Sequence, residues 1–411
     1  MNNIDNKLIL GKNHYFSLDC YETKVNNNVL VVGTSGAGKT RCIVEPNLYQ
    51  ATGSYIVSDP KGNLYNKYKD YLKLKGYRVL KLDFTNPGCS EHYNPFEYIR
   101  NTQDIVKIAH MMVVQDKNKY SMDPFWDNSS QLLIQACIAL LWEDIRVEER
   151  NFKSLVELIR MCEVEEDYDK KNKLDIMFDV LARKKPDSYA VKTYKKFRIG
   201  STKTLKNVLI SLNSVIGFMD TPELNKMMEY DTIDIPSIGK EKTALFVVVS
   251  DTDRSLDGLA NIFFSQAMNV LCQFADNKCK DNSLPVPVRF ILDDFATNVK
   301  INEFPRMIAS IRSRGISTML MIQAESQLTE AYGYDGRTII ANCDSYIYMG
   351  GNDVETARAV SVRCDVPLKK VLYMPVGTYW LFRRGLEPIF GDNMDIDEFM
   401  KEKSNYKEKQ K

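Results

Sequence analysis

The run Val29-Leu30-Val31-Val32-Gly33-Thr34-Ser35-Gly36-Ala37-Gly38-Lys39-Thr40 constrains this chain more than any other feature. An apolar strand passes directly into Gly33-x-x-x-x-Gly38-Lys39-Thr40, the phosphate-binding loop pattern. Its glycines let backbone N–H groups turn inward around phosphate oxygens. Lys39 is placed to neutralise β- and γ-phosphates, and the Thr40 hydroxyl is a ligand for Mg²⁺. A helix expected over residues 39–49 points its N-terminal dipole at the same anion. A nucleoside triphosphate with Mg²⁺ is the ligand this pattern implies. Its expected contacts are Gly33, Thr34, Ser35, Gly36, Ala37, Gly38, Lys39, Thr40 and Arg41.

The residues around that loop read as an α/β domain with a mainly parallel central sheet. Strands are expected at Val29–Val32, Tyr55–Val57 and Tyr77–Leu82, with helices between them. From about Asp104 to Met228 the pattern becomes helical, with Leu132, Leu133, Ala136, Leu140 and Leu141 near helical spacing. The strand–helix rhythm resumes at Thr243–Ser250 and continues through Val288–Leu292, Ser317–Ile322, Ser345–Tyr348 and Thr378–Phe382. The expected organisation is a nucleotide-binding domain in two parts, residues 1–103 and 236–395. An all-helical domain over 104–235 is inserted between them, and a disordered charged tail occupies 396–411.

Bulk properties narrow the classes. With 411 residues and 44% apolar content, the chain can bury a large core. A net charge of +1 gives no whole-chain attraction to nucleic acid, so any such surface is local. Nine cysteines without a C-x-x-C pair, beside three histidines, show no zinc pattern and suit reduced thiols in a cytosolic protein. The longest apolar stretch, Leu132 to Trp142, is interrupted by Gln135 and falls short of the ~20 residues of a membrane helix.

A second nucleotide signal is Val288-Arg289-Phe290-Ile291-Leu292-Asp293-Asp294, an apolar strand ending in carboxylates, the Walker B pattern. Asp293 is the expected Mg²⁺ ligand with Thr40, and Asp294 the group that polarises the attacking water. Gln323 closes the strand Ser317–Ile322, where its amide is placed to orient that water. Arg312 and Arg314 precede the same strand. Either is a candidate arginine finger toward a neighbouring subunit, or an ordinary cation at a helix C-terminus. Asp59, in Ser58-Asp59-Pro60-Lys61-Gly62, reads equally as a helix cap with Pro at N1 or as a ligand at the sheet edge. Residues 183–206 are rich in Lys and Arg interleaved with Tyr189, Tyr194 and Phe197. That composition suits single-stranded nucleic acid or a merely solvated face, with the acidic run Glu163–Asp169 as an alternative partner.

Taken in order, these blocks resemble the coupling proteins of bacterial conjugation and type IV secretion, the TraG/TraD group of RecA-like, FtsK-like motor ATPases. The resemblance spans about residues 25–392. It rests on the phosphate loop, Ser58-Asp-Pro-Lys-Gly62, Gly76-Tyr-Arg-Val79, Tyr93-Asn-Pro-Phe96 and Asp123-Pro-Phe-Trp126. Leu292-Asp-Asp-Phe-Ala296, Arg312-Ser-Arg-Gly-Ile316, Ile322-Gln-Ala-Glu-Ser-Gln-Leu328 and Tyr332-Gly333 complete it. It implies an ATPase that forms a hexameric ring at the cytoplasmic face of the bacterial cell membrane. ATP hydrolysis would drive a relaxase-bound single DNA strand, or a protein substrate, into a secretion channel. An ATP-binding recruitment platform with little hydrolysis is the alternative. The sequence departs from the family pattern twice. The usual membrane-spanning helices are not in it, which implies attachment through a partner or a missing segment. Asp294 also stands where the family usually has Glu. A small-molecule P-loop kinase would place its second acid far closer to the loop and has no use for Gln323.

Overall fold

The computed structural model describes residues 6–113, 124–163, 171–217 and 219–408. Asp123 of the expected insert-opening block and most of the acidic run at 163–169 lie outside the described residues. Two compact units divide the chain: residues 1–81, 235–252 and 267–411 form one, and residues 82–234 with 253–266 form the other.

Unit one is built on a sheet. Its strands in chain order are β1 (Lys7–Ile9), β2 (Tyr15–Ser17), β3 (Val29–Val32), β4 (Ser54–Ser58), β5 (Arg78–Asp83), β6 (Thr243–Val248), β7 (Val288–Leu292), β8 (Ile316–Ile322), β9 (Ser345–Tyr348), β10 (Thr378–Arg383) and β11 (Ile389–Asp392). Among the described residues, β1 and β2 form a hairpin, and the other strands form one sheet in the order β11-β10-β9-β3-β8-β7-β4-β6-β5. The pairings β9–β3, β3–β8, β8–β7, β7–β4 and β4–β6 are parallel, and β10 runs antiparallel to both its neighbours. The central strands are apolar runs because helices cover both faces. Val29–Val32, Ser54–Ser58, Thr243–Val248 and Val288–Leu292 are buried at every position.

Parallel order has one functional consequence. The loops after β3, β4, β6, β7 and β8 all leave the same edge of the sheet, the edge where open α/β sheets bind ligands. At the opposite edge Gly53 enters β4 so closely that an added Cβ would sit 2.5 Å from the carbonyl oxygen of Pro287. Ser54 N–H donates to that same oxygen at 2.9 Å, so it cannot withdraw without breaking the ladder. Gly53→Ala is expected to destabilise the fold by about 1–3 kcal/mol, the usual cost of overpacking. Urea unfolding, with a lower midpoint at unchanged slope, checks this.

The second unit is helical. Within it the helix Pro124–Asp144 packs against Tyr189–Phe197, Thr102–Val113 and Phe152–Arg160. Residues 133–141 are buried on every face, so this is a central helix rather than an amphipathic surface one. The unit begins at Leu82 rather than near residue 104. Phe84, Tyr93, Phe96 and Ile99 are buried in it, and Tyr93 donates to Gln266 Oε1 at 2.6 Å, which ties in residues 253–266.

Several local expectations are corrected. The segment expected as a disordered tail from residue 396 forms a helix, Ile396–Glu408. Ile396 and Phe399 are buried at helical spacing, and a Lys403–Gln50 hydrogen bond adds to that anchorage. The helix after the phosphate loop opens with a π turn, Thr40–Val44, and becomes regular only over Glu45–Gln50. No helix among the described residues is long and apolar enough to cross a membrane.

Candidate nucleotide site

The loop after β3 folds as its glycines require. Gly36 and Gly38 have φ of 80° and 93°, the left-handed region where side chains are disfavoured. Gly33 N–H donates to Ile322 O at the end of β8, and Thr34 N–H to Gly350 O beyond β9, so the flanking strands hold the loop base. Lys39 is largely buried, and its Nζ donates to the carbonyls of Gly33 (2.5 Å) and Thr34 (3.1 Å). Burial lowers its pKa, while the carboxylates of Asp293 and Asp294 pull it back up.

Across the loop, Thr40 Oγ1 donates to Asp293 Oδ2 at 2.8 Å. The Walker A hydroxyl and the Walker B carboxylate thus meet, although β8 lies between their strands. Burial raises the Asp293 pKa, and the Thr40 hydrogen bond opposes that rise. A hydroxyl and a desolvated carboxylate converging on one point form the hard-oxygen donor set that Mg²⁺ takes. Asp294 turns away from the strand at φ 48°, a conformation that Asp and Asn adopt more readily than other side chains.

These groups share a cavity of about 510 Å³, ample for a nucleotide. Thr34, Ser35, Gly36, Gly38, Lys39, Thr40 and Arg41 line it from the loop, with Asp59, Asp293, Asp294 and Gln323 from neighbouring strand ends. Arg41 lies at the rim, paired with Asp397 at 3.3 Å. Gln323 is exposed to the cavity, and its backbone N–H donates to Gln327 Oε1 at 2.7 Å.

Asp59 serves the helix Asn63–Leu74 as well as the cavity. Its Oδ2 accepts the Tyr65 N–H at 2.8 Å, and backbone donors at Leu64 and Asn63 also oppose the burial that raises its pKa. The residue at the N-cap itself is Gly62, so Pro60 is not at N1 as expected.

Two acidic cavity residues escaped the sequence reading. Asp251 follows β6 and pairs with Lys61 at 3.1 Å across the mouth. It carries the same signal as Asp293, an acid at the end of a buried strand. Glu45 lines the cavity, accepts the Tyr68 hydroxyl at 2.9 Å and pairs with Lys67.

Arg312 and Arg314 lie elsewhere. They precede β8 and so sit at the sheet edge opposite this chain's own phosphate loop. Arg314 forms a two-pronged pair with Asp276 (2.8 and 2.9 Å), and Arg312 donates to the Cys20 carbonyl.

In the helical unit two of the three aromatics of the basic segment turn inward, while Tyr189 is half-buried and donates to Gln135 Oε1 at 3.0 Å. Tyr194 and Phe197 are buried, and Tyr194 donates to Asp175 Oδ1 at 2.8 Å. Lys184, Lys192 and Arg198 pair with Asp144, Asp187 and Asp175. The stacking surface that single-stranded nucleic acid needs is therefore not provided by these rings.

Burial of Asp293 has a consequence for stability. An acid whose folded-state pKa is raised costs the fold its desolvation at high pH. That cost disappears as pH falls through the folded-state value toward the ordinary 3.8. Asp293→Asn keeps an oxygen for the Asp294 N–H, lets its amide N–H donate to the Thr40 hydroxyl, and removes the buried charge. The ligand-free protein is expected to gain about 1 kcal/mol, the scale typical of relieving a functional-site compromise. Thermal stabilisation by Mg²⁺-ATP is expected to be lost. Melting curves with and without Mg²⁺-ATP check both halves.

Strand order, loop geometry and the paired Walker residues define the fold class: a RecA-like P-loop α/β domain with a mainly parallel sheet. The type IV secretory system conjugative DNA transfer family model matches residues 2–365, and the chain belongs to that family. Protein VirD4 of Rhizobium radiobacter is 24% identical over 348 residues, covering 81% of this chain and 47% of its own length. The chain thus spans about half the length of that curated relative. Among solved structures, the bacterial conjugative coupling protein TrwBdeltaN70, in complex with sulphate, aligns with a TM-score of 0.70 at 15% identity, covering 96% of this chain and 90% of that one. Plasmid coupling protein TrwB in complex with ADP and Mg²⁺ aligns with a TM-score of 0.65 at 16% identity, covering 90% and 85%.

Proposed function

We propose that this chain is the motor portion of a type IV coupling protein, hydrolysing ATP to pass a relaxase-bound single DNA strand, or a protein substrate, into a secretion channel. The observation that carries this reading is the 2.8 Å contact between Thr40 and Asp293, which joins the two Walker motifs at one cation position. Membership of the conjugative DNA transfer family supports the role, and the TrwB complex with ADP and Mg²⁺ supports the ligand.

The chain's own groups divide the work. Lys39 and the loop N–H groups neutralise the triphosphate, and Thr40 with Asp293 would hold Mg²⁺, which supplies charge stabilisation at the phosphoryl oxygens. Asp294 takes the proton of the attacking water, and Gln323 orients that water in line with the γ-phosphate. Arg312 and Arg314 act on a neighbouring subunit's site in a hexameric ring, after exchanging their present partners. The ring would sit at the inner face of the cell membrane, attached through a partner or further segment.

A second reading, an ATP-binding recruitment platform with little turnover, is favoured by one feature: both arginines are held by their own chain. Steady-state ATPase activity across a protein-concentration series, with and without single-stranded DNA, separates the two. A motor gives turnover that climbs with concentration and DNA above a Lys39→Ala blank. A platform binds ATP and stays at the blank.

A further inference from the structure

The sheet edge opposite this chain's own nucleotide site holds a second cavity, of about 490 Å³, of which the proposed hydrolysis uses only Arg312, toward a neighbouring subunit. Arg289, the first polar residue of the Walker B strand, lines it. Its residue is 8% exposed, and its Nε donates to Ser317 Oγ at 3.2 Å. No carboxylate pairs with it among the described residues. A guanidinium has five N–H donors, so four remain for the cavity. Burying an unpaired charge is costly unless something compensates it. Arg312 lines the same cavity, and both guanidiniums act on the Cys20 thiol, opposing the burial that raises its pKa. The acid on the wall, Asp19, has its Oδ1 committed to the backbone N–H groups of Tyr21 and Glu22. Asn27 Oδ1 is buried without a partner, an acceptor awaiting a donor. Tyr21, 81% exposed, supplies an aromatic face at the rim.

We propose that this cavity is a second anion site, which takes a phosphate-bearing small ligand on Arg289 and Arg312. Planar guanidiniums match phosphate oxygens in pairs, and two cations on one wall repel each other until an anion lies between them. The cavity volume admits anything from inorganic phosphate to a mononucleotide, and Asn27 and Tyr21 offer partners for a sugar hydroxyl and a base.

The test uses the full chain carrying Lys39→Ala, without Mg²⁺, so that the phosphate loop is disabled and failure of the nucleotide reading cannot mask the result. Inorganic phosphate, pyrophosphate and AMP are titrated calorimetrically. Saturable binding of at least one probe is expected, weakened about tenfold or more by Arg289→Gln and by the surface change Arg312→Ala, the loss of a charge-assisted contact. Arg312→Ala keeps the test open should Arg289→Gln not fold. AMP binding more tightly than phosphate, with the difference erased by Tyr21→Ala, identifies a nucleotide. Equal binding identifies the phosphate group alone. Three probes that do not bind, or binding indifferent to both arginines, overturn the proposal. So does loss of self-association in Arg289→Gln without anion binding, which assigns the counter-charge to a carboxylate of a second copy.

Discussion

Lys39→Ala is expected to lower ATP turnover by about 10²–10³-fold, the scale of removing one preorganised charge donor from a phosphoryl-transfer site. The lysine is buried, so its ammonium acts where water screens it little. Its present partners are the Gly33 and Thr34 carbonyls, which bind the ammonium through hydrogen bonds but carry no net charge. An anionic phosphate is the stronger partner, so the side chain is poised to exchange carbonyls for phosphate oxygens. Alanine removes that exchange and leaves both carbonyls to solvent in the cavity, so the fold itself changes little. The check is steady-state hydrolysis beside a thermal melt: turnover collapses while the melting temperature of the ligand-free protein stays within a few degrees. A variant retaining most of its turnover would remove Lys39 from the mechanism.

The parts of this site that were legible in the sequence share one physical cause. Strands buried on both faces must be apolar throughout, and polarity returns where the chain leaves the sheet. Val29–Val32 and Val288–Leu292 therefore announce their own ends, and Asp293 and Gln323 stand where polarity returns. β8, which Gln323 closes, lies between the two Walker strands. What was missed depends on tertiary neighbours. Arg289 breaks the apolar run yet is buried, because strand periodicity does not reveal what covers each face. Tyr194 and Phe197 look like a nucleic-acid platform among lysines, but neighbouring helices enclose them. The helix Ile396–Glu408 is charged enough to read as disordered, yet buried Ile396 and Phe399 hold it to the domain. Glu45 and Asp251 become site residues only once the loops from β3, β4 and β6 meet at one edge.

Asp294 carries the sharper prediction about mechanism. Asp294→Asn is expected to cut turnover by about 10²–10⁴-fold, the range for losing a general base, while leaving ATP affinity within a few-fold. The choice of Asn matters because residue 294 sits at φ 48°. Asn tolerates that region as Asp does, whereas Ala would add backbone strain of about 1 kcal/mol and blur the result. The same geometry bears on how an acid one methylene shorter than Glu would serve as the proposed base. Asp294 O accepts from the backbone N–H groups of Thr297 (3.2 Å) and Asn298 (3.0 Å), and Asp294 N–H donates to Asp293 Oδ1 (3.1 Å). These bonds fix the left-handed turn, and a short carboxylate projects from it directly into the cavity shared with Lys39 and Gln323. Asp294→Glu extends the reach but loses the side chain best suited to the turn, so turnover is expected to fall by about tenfold rather than rise. Single-turnover hydrolysis at saturating ATP reads the chemical step for all three proteins. Asn at the blank with Glu intermediate supports Asp294 as the base in its present turn. Wild-type turnover in Asp294→Asn would assign the water to Gln323 alone and make the adjacent acid dispensable.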